Sequence, residues 1–133
     1  FGLNDSPAGL CAWIIEKFRR WSDCNGNPEN IFTRDELLSN ITLYWITQTI
    51  SSAVRLYRED RLIPLKFGIG EFVKPPVAVA RFPRELPMPP KSYVERGFNV
   101  QQWTEMPLGG HFAAMEQPVL LSEDIVKFFR KII

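Results

Sequence analysis

The chain has 133 residues, 45% hydrophobic and 23% charged, the balance of a folded domain with a real core rather than of a disordered segment. Sixteen Lys and Arg against fifteen Asp and Glu leave a formal charge of +1, which provides no excess of cations to displace phosphate counterions and argues against a general nucleic-acid partner. Cys11 and Cys24 are too few for a disulfide framework and lack metal-ligand spacing; no signal-peptide pattern occurs, and no apolar run approaches the roughly 20 residues of a membrane span, so a soluble segment is expected, the cytoplasm favoured.

The chain opens on Phe1-Gly2-Leu3-Asn4-Asp5-Ser6-Pro7 without a Met, and reads as a piece of something longer. Ser6-Pro7 is a helix start, because Ser can cap free N–H groups and Pro at the first helical position lacks one. Ala8 to Trp21 then sets Leu10, Cys11, Ile14, Ile15, Phe18 and Trp21 at helical spacing, with Cys11 acting as a small buried hydrophobe. Lys17, Arg19 and Arg20 lie among acids and read as the solvated face. Residues 22–28 are a loop by composition. Thr33-Arg34-Asp35-Glu36 is a capping box, and a second helix follows with Leu37, Leu38, Ile41, Tyr44, Trp45 and Gln48 spanning its faces. A third helical stretch from Ser51 to Glu59 continues after a bend.

Beyond Ile63 the character changes. Gly68, Gly70 and Pro75-Pro76 interrupt any helix, and Val77-Ala78-Val79-Ala80-Arg81-Phe82 has the pattern of a buried strand. A proline-rich loop leads into a short helix within 91–97, a second strand over Asn99 to Met106, and an amphipathic helix over Pro118 to Ile132. That last helix is expected to turn Leu121, Ile125, Phe128, Phe129 and Ile132 inward. Helices followed by strand–helix–strand–helix predict an α/β fold and the edge of a parallel sheet. Two strands cannot make a free-standing doubly wound sheet, which points to further strands upstream.

His111 is the only histidine. It follows a strand on the Gly109-Gly110 loop, at the sheet edge where α/β proteins form ligand sites; a loop histidine capping the next helix is the plainer alternative. Glu85 follows the other strand in Phe82-Pro83-Arg84-Glu85. Adjacent parallel strands would bring the two loops to one edge, where a carboxylate can accept the ring N–H and fix its tautomer. Read alone, a Glu beside an Arg in a proline loop is more often a surface charge.

Together, Gly2-Leu3-Asn4-Asp5-Ser6-Pro7-Ala8-Gly9-Leu10, Leu43-Tyr44-Trp45, Phe82-Pro83-Arg84-Glu85 and Gly109-Gly110-His111-Phe112-Ala113-Ala114 resemble, in order, parts of the epoxide hydrolases of the α/β-hydrolase fold. The branch resembled holds the microsomal, juvenile-hormone and related fungal and bacterial enzymes. The resemblance implies the C-terminal part of that fold, with residues 1–62 a helical cap segment and 63–133 the last strand–helix–strand–helix of the core. It implies that His111 and Glu85 match the water-activating pair, and that Tyr57 matches one of two cap tyrosines that hold the epoxide oxygen. Trp45 and Phe112 would line the substrate channel, although aromatic core is the plainer reading of Trp45, and a half-buried helix tyrosine that of Tyr57.

The implied reaction adds water to a small hydrophobic epoxide, through an alkyl-enzyme ester, to give a vicinal diol. It needs no metal or organic cofactor. The family's aspartate nucleophile has no match, since Asp5, Asp23, Asp35, Asp60 and Asp124 all lack the small-residue elbow around them. The nucleophile and the other tyrosine are expected upstream, in the missing part of the same fold, and the isolated chain is expected to be inactive. Two alternatives stay open: a serine esterase or dehalogenase of the same fold, and a catalytically silent relative that binds a hydrophobic ligand or partner.

Overall fold

In the computed structural model, which describes residues 2–133, Ser6 caps a helix as its sequence setting predicts. Its hydroxyl accepts the Gly9 N–H at 3.1 Å and its carbonyl the Leu10 N–H at 2.9 Å, opening α2 (Pro7–Trp21). A short turn of helix not expected from the sequence, α1 (Gly2–Asp5), precedes it. The following loop contains an equally unanticipated 3-10 turn at Pro28–Asn30, capped by the Asn27 side chain. Next come α3 (Arg34–Thr47), α4 (Ile50–Ala53) and α5 (Arg55–Leu62); the expected bend falls at Gln48–Thr49, where Gln48 is left-handed at φ 56°, and a second break, not expected from the sequence, divides the third stretch at Val54. Leu10, Ile41 and Ile50 are buried together, with Leu3, Ile14, Ile15, Tyr44, Trp45 and Val54 packed against them. Cys11 is only half-buried; Cys24 is the enclosed cysteine, its thiol 3.4 Å from the Arg19 carbonyl. Residues up to Arg20 with Cys24–Lys66 form one compact unit, and Trp21–Asp23 with Phe67–Ile133 form a second.

The capping box of α3 is complete. Thr33 Oγ1 accepts the Glu36 N–H at 3.2 Å, and Glu36 Oε2 accepts the Thr33 N–H and hydroxyl, each at 2.7 Å. The Thr33 hydroxyl, and then its N–H, hold the Glu36 carboxyl below the ordinary carboxylate range. A carboxyl depressed in the folded state stabilises it above the unfolded-state value and loses that contribution as pH falls through the folded one. Thr33→Ala removes the N-cap hydroxyl and is expected to lower stability at neutral pH by about 1 kcal/mol, the typical cost of losing such a cap. It should also flatten the acid limb of a stability-against-pH curve, measured by urea melts; an unaltered acid limb would deny the coupling.

The second unit holds β1 (Val73–Arg81) and β2 (Phe98–Glu105), paired in parallel. The short helix α6 (Lys91–Val94) lies in their connection. β1 begins earlier than expected and runs through Pro75-Pro76, with irregular register at Val73/Pro76 and Val77/Ala78. Prolines cannot donate to a ladder and are tolerated at such irregularities; Asn99 Nδ2 donates to the Lys74 carbonyl there at 2.8 Å. After β2 come α7 (Ala113–Glu116) and α8 (Pro118–Ile132).

Ala78 and Ala80 stand opposite Gln102 and Thr104 on one face of the sheet. α8 engages that face through polar groups: Thr104 Oγ1 donates to Asp124 Oδ1 at 2.6 Å, and Gln102 Nε2 to the Asp124 carbonyl at 3.0 Å. Consequently Asp124 and Phe128 are the buried residues of α8, while Ile125, Phe129 and Ile132, expected inward, are exposed. Two strands cover only one stripe of the helix. The same shortage leaves Val77 to Ala80 half-buried rather than buried. On the opposite face, the Trp103 indole N–H at 2.8 Å, and then Arg81 at 2.9 Å, hold the Glu105 carboxyl below its ordinary range.

Candidate functional site

Parallel strands end on a common edge, and β1 and β2 end in register, Arg81 beside Glu105. The chain continues in parallel beyond them. The Met106 N–H donates to the Arg81 carbonyl at 2.8 Å, the Arg84 N–H donates to the Gly109 carbonyl at 3.0 Å, and Arg84 bridges to Gly110. Glu85 and His111 are the next residue on each loop.

Their side chains meet, with His111 Nδ1 2.8 Å from Glu85 Oε1. An ionised carboxylate only accepts hydrogen bonds, so in the neutral ring Nδ1 carries the proton and Nε2 presents its lone pair. The same Glu85 oxygen accepts the Leu86 N–H at 2.6 Å, which restrains the carboxylate. The imidazole is 37% exposed, open enough to meet a reacting molecule. Two aromatic rings flank it edge-on: Trp21 at 5.0 Å between centroids and Phe112 at 5.1 Å.

The loop that carries His111 is held from beneath. The His111 N–H donates to the Trp21 carbonyl at 2.9 Å, and the Gly109 N–H to Asp23 Oδ2 at 3.1 Å. Glu116, 8% exposed, uses both carboxylate oxygens: one accepts the Asp23 N–H at 2.8 Å, the other the Phe112 N–H at 2.9 Å. Gly109 has φ +105°, a conformation side-chain-bearing residues rarely adopt, and a Cβ there would also collide with Phe82 and Gln117.

Of the residues singled out from sequence, His111, Glu85 and Phe112 come together. Tyr57, on α5, and Trp45, on α3, belong to the first unit. Tyr57 is 59% exposed, and Trp45 packs against the Leu10, Ile41 and Ile50 cluster. Trp21, Asp23 and Glu116 were not anticipated from the sequence. The Asp23–Glu116 contact joins residues 93 apart, and a lone Glu after the histidine carries no local signal of it. Among the described residues no group of three or more His, Cys, Asp or Glu could hold a metal ion, and no helix is long and apolar enough to cross a membrane.

No family model matches the chain. A Stigmatella aurantiaca protein named as an epoxide hydrolase is 43% identical over 133 residues, covering 99% of this chain and 30% of that protein. Epoxide hydrolase 1 of Sus scrofa is 41% identical over 135 residues, covering 95% and 30% respectively. The crystal structure of juvenile hormone epoxide hydrolase from Bombyx mori superposes with a TM-score of 0.81 at 31% identity, over 98% of this chain and 35% of that one. Along nearly its whole length the chain is similar to one part of proteins named epoxide hydrolases. Its mixed helices and small parallel sheet are part of an α/β-hydrolase fold, and it spans about 30% of the length of the curated relatives it matches.

Proposed function

We propose that the whole protein adds water to a small hydrophobic epoxide and releases a vicinal diol, with His111 and Glu85 as its water-activating pair. The observation that carries this reading is the 2.8 Å contact between Nδ1 and the carboxylate in a chain whose relatives are named epoxide hydrolases. With Nδ1–H committed to Glu85, Nε2 is the base: it takes a proton from water, and Glu85 stabilises the imidazolium that results.

In this reading the residues up to Leu62 act as a cap segment and the remainder as the last part of the hydrolase core. An aspartate from the rest of the protein attacks an epoxide carbon, the C–O bond breaks, and an alkyl-enzyme ester forms. The Tyr57 hydroxyl and a second donor hold the departing oxygen while charge builds on it. Donors aimed at charge present only in the transition state are worth more than donors that bind substrate. Hydroxide generated at His111 then adds to the ester carbonyl, and the bond between the carbonyl carbon and the ester oxygen breaks; that oxygen leaves with the substrate, takes the proton held on His111 and completes the diol, and the aspartate is regenerated. Phe112, beside the imidazole, and Trp45 line the substrate path. The 133 residues alone perform no turnover, because the nucleophile lies outside them.

The test is diol formation from a styrene-type or alkyl epoxide by the full-length protein, followed by gas chromatography. Conversion indistinguishable from buffer would end the proposal. Tyr57→Phe is expected to slow epoxide opening by about 10²-fold, the scale for losing one donor to a developing oxyanion. Ester hydrolysis should be untouched in that variant, and pre-steady-state mass spectrometry separates the two steps. Equal slowing of both would remove Tyr57 from the opening step.

A further inference from the structure

Glu116 is a buried carboxylate that the proposed reaction does not use, and its surroundings are specific. It spends both oxygens on backbone N–H groups, one from Asp23 and one from Phe112, the residue that follows His111. Asp23 in turn accepts the Gly109 N–H, Trp21 accepts the His111 N–H, and the Trp21 ring flanks the imidazole. These contacts close a circuit between residues 21–23 and 109–116. Each of the three backbone groups from Gly109, His111 and Phe112 has its own acceptor, so the peptide planes on both sides of His111 are fixed.

We propose that Glu116 is a positioning residue that, through the 21–23 segment, holds the His111 imidazole in the orientation that engages Glu85. The inference rests on the reading of His111 and Glu85 as the working pair, but its test does not need activity. A buried carboxylate is costly to leave without donors, and two backbone N–H groups are costly to leave without an acceptor. Gln at this position keeps one acceptor oxygen and turns an N–H₂ group toward the other N–H, so half of the brace becomes repulsive. The peptide planes then relax, and the ring no longer meets Glu85.

His111 is the only histidine among these 133 residues, and comparing ¹⁵N-histidine spectra of the full-length protein with those of its His111→Gln variant assigns that one imidazole. In the unsubstituted protein near neutral pH, the neutral ring is expected to show the Nδ1–H tautomer as the main form. Glu85→Ala, which removes the acceptor, should move the ring to the Nε2–H form. Glu116→Gln should move it in the same direction, and Glu116→Ala at least as far. Phe128→Leu, a core substitution on α8, should lower the melting temperature without moving the tautomer, which separates positioning from general stability.

A folded Glu116→Gln protein with the unsubstituted tautomer balance would overturn the proposal. Should the Glu116 variants fail to fold, amide exchange in the unsubstituted protein decides. The amides of Asp23, Gly109, His111 and Phe112 are expected to exchange together, far more slowly than exposed loop amides. Exchange of His111 and Phe112 at exposed-loop rates would overturn it equally. A tautomer shift in a protein that hydrates no epoxide would leave the brace standing and reject the function.

Discussion

Replacement of His111 by Gln in the full-length protein is expected to stop diol release while leaving epoxide opening intact, so that substrate mass accumulates on the enzyme. The argument is one of proton accounting. Opening the epoxide needs a nucleophile and donors to the leaving oxygen, neither of which is the imidazole. Hydrolysing the ester needs hydroxide at neutral pH, and in the proposed mechanism Nε2, freed by the Nδ1–Glu85 contact, takes the proton. A positioned general base contributes about 10²–10⁴-fold, and steady-state turnover should fall within or beyond that range. Intact-protein mass spectrometry after acid quench should show a heavier species, increased by one epoxide, in the variant alone. Gln approximates the reach of the imidazole but cannot act as a base near neutrality. Retained turnover, or lost turnover with no adduct on the protein, would reject water activation by His111.

The pair itself was legible in the sequence because its signals are local. Phe82-Pro83-Arg84-Glu85 and Gly109-Gly110-His111 each sit just past a short apolar run, and parallel strands must deliver both loops to one edge. The helix starts were legible for the same reason: Ser6-Pro7 and Thr33-Arg34-Asp35-Glu36 satisfy their donors with residues three or four positions away. What hid was non-local. The hold of Trp21, Asp23 and Glu116 on the histidine loop joins residues 86 and 93 apart, and nothing in Trp21-Ser22-Asp23 announces that its backbone will serve another loop. The inward face of α8 was misjudged for a physical reason. Apolar periodicity marks which residues prefer burial, but the neighbouring surface decides which obtain it. Here Thr104 and Gln102 claim Asp124, leaving Phe129 at 49% exposure while Phe128 is at 7%.

Gly110→Ala is the other substitution with a large expected effect, and it acts through a single carbon. A Cβ built on Gly110 falls 2.5 Å from the Trp21 carbonyl oxygen, and 3.1 Å from both the Asp23 nitrogen and Ser22 Cα. All of these are backbone atoms. No rotamer change can clear them, so residues 21–23 or the histidine loop must shift, and the His111 N–H to Trp21 carbonyl bond at 2.9 Å goes with them. Overpacking of this kind costs about 1–3 kcal/mol. A loss near 2 kcal/mol should lower the melting temperature by on the order of 5–10 °C. Gly2→Ala is the matched control, since nothing lies within 4 Å of its Cβ. Differential scanning fluorimetry on the three proteins is sufficient. Under the proposed mechanism, in which only the second step uses His111, the loop displacement should also reduce ester hydrolysis more than ester formation in the full-length protein. A Gly110→Ala protein that melts with the unsubstituted one, within about 1 °C, would mean that the close approach of the histidine loop to residues 21–23 does not hold in solution.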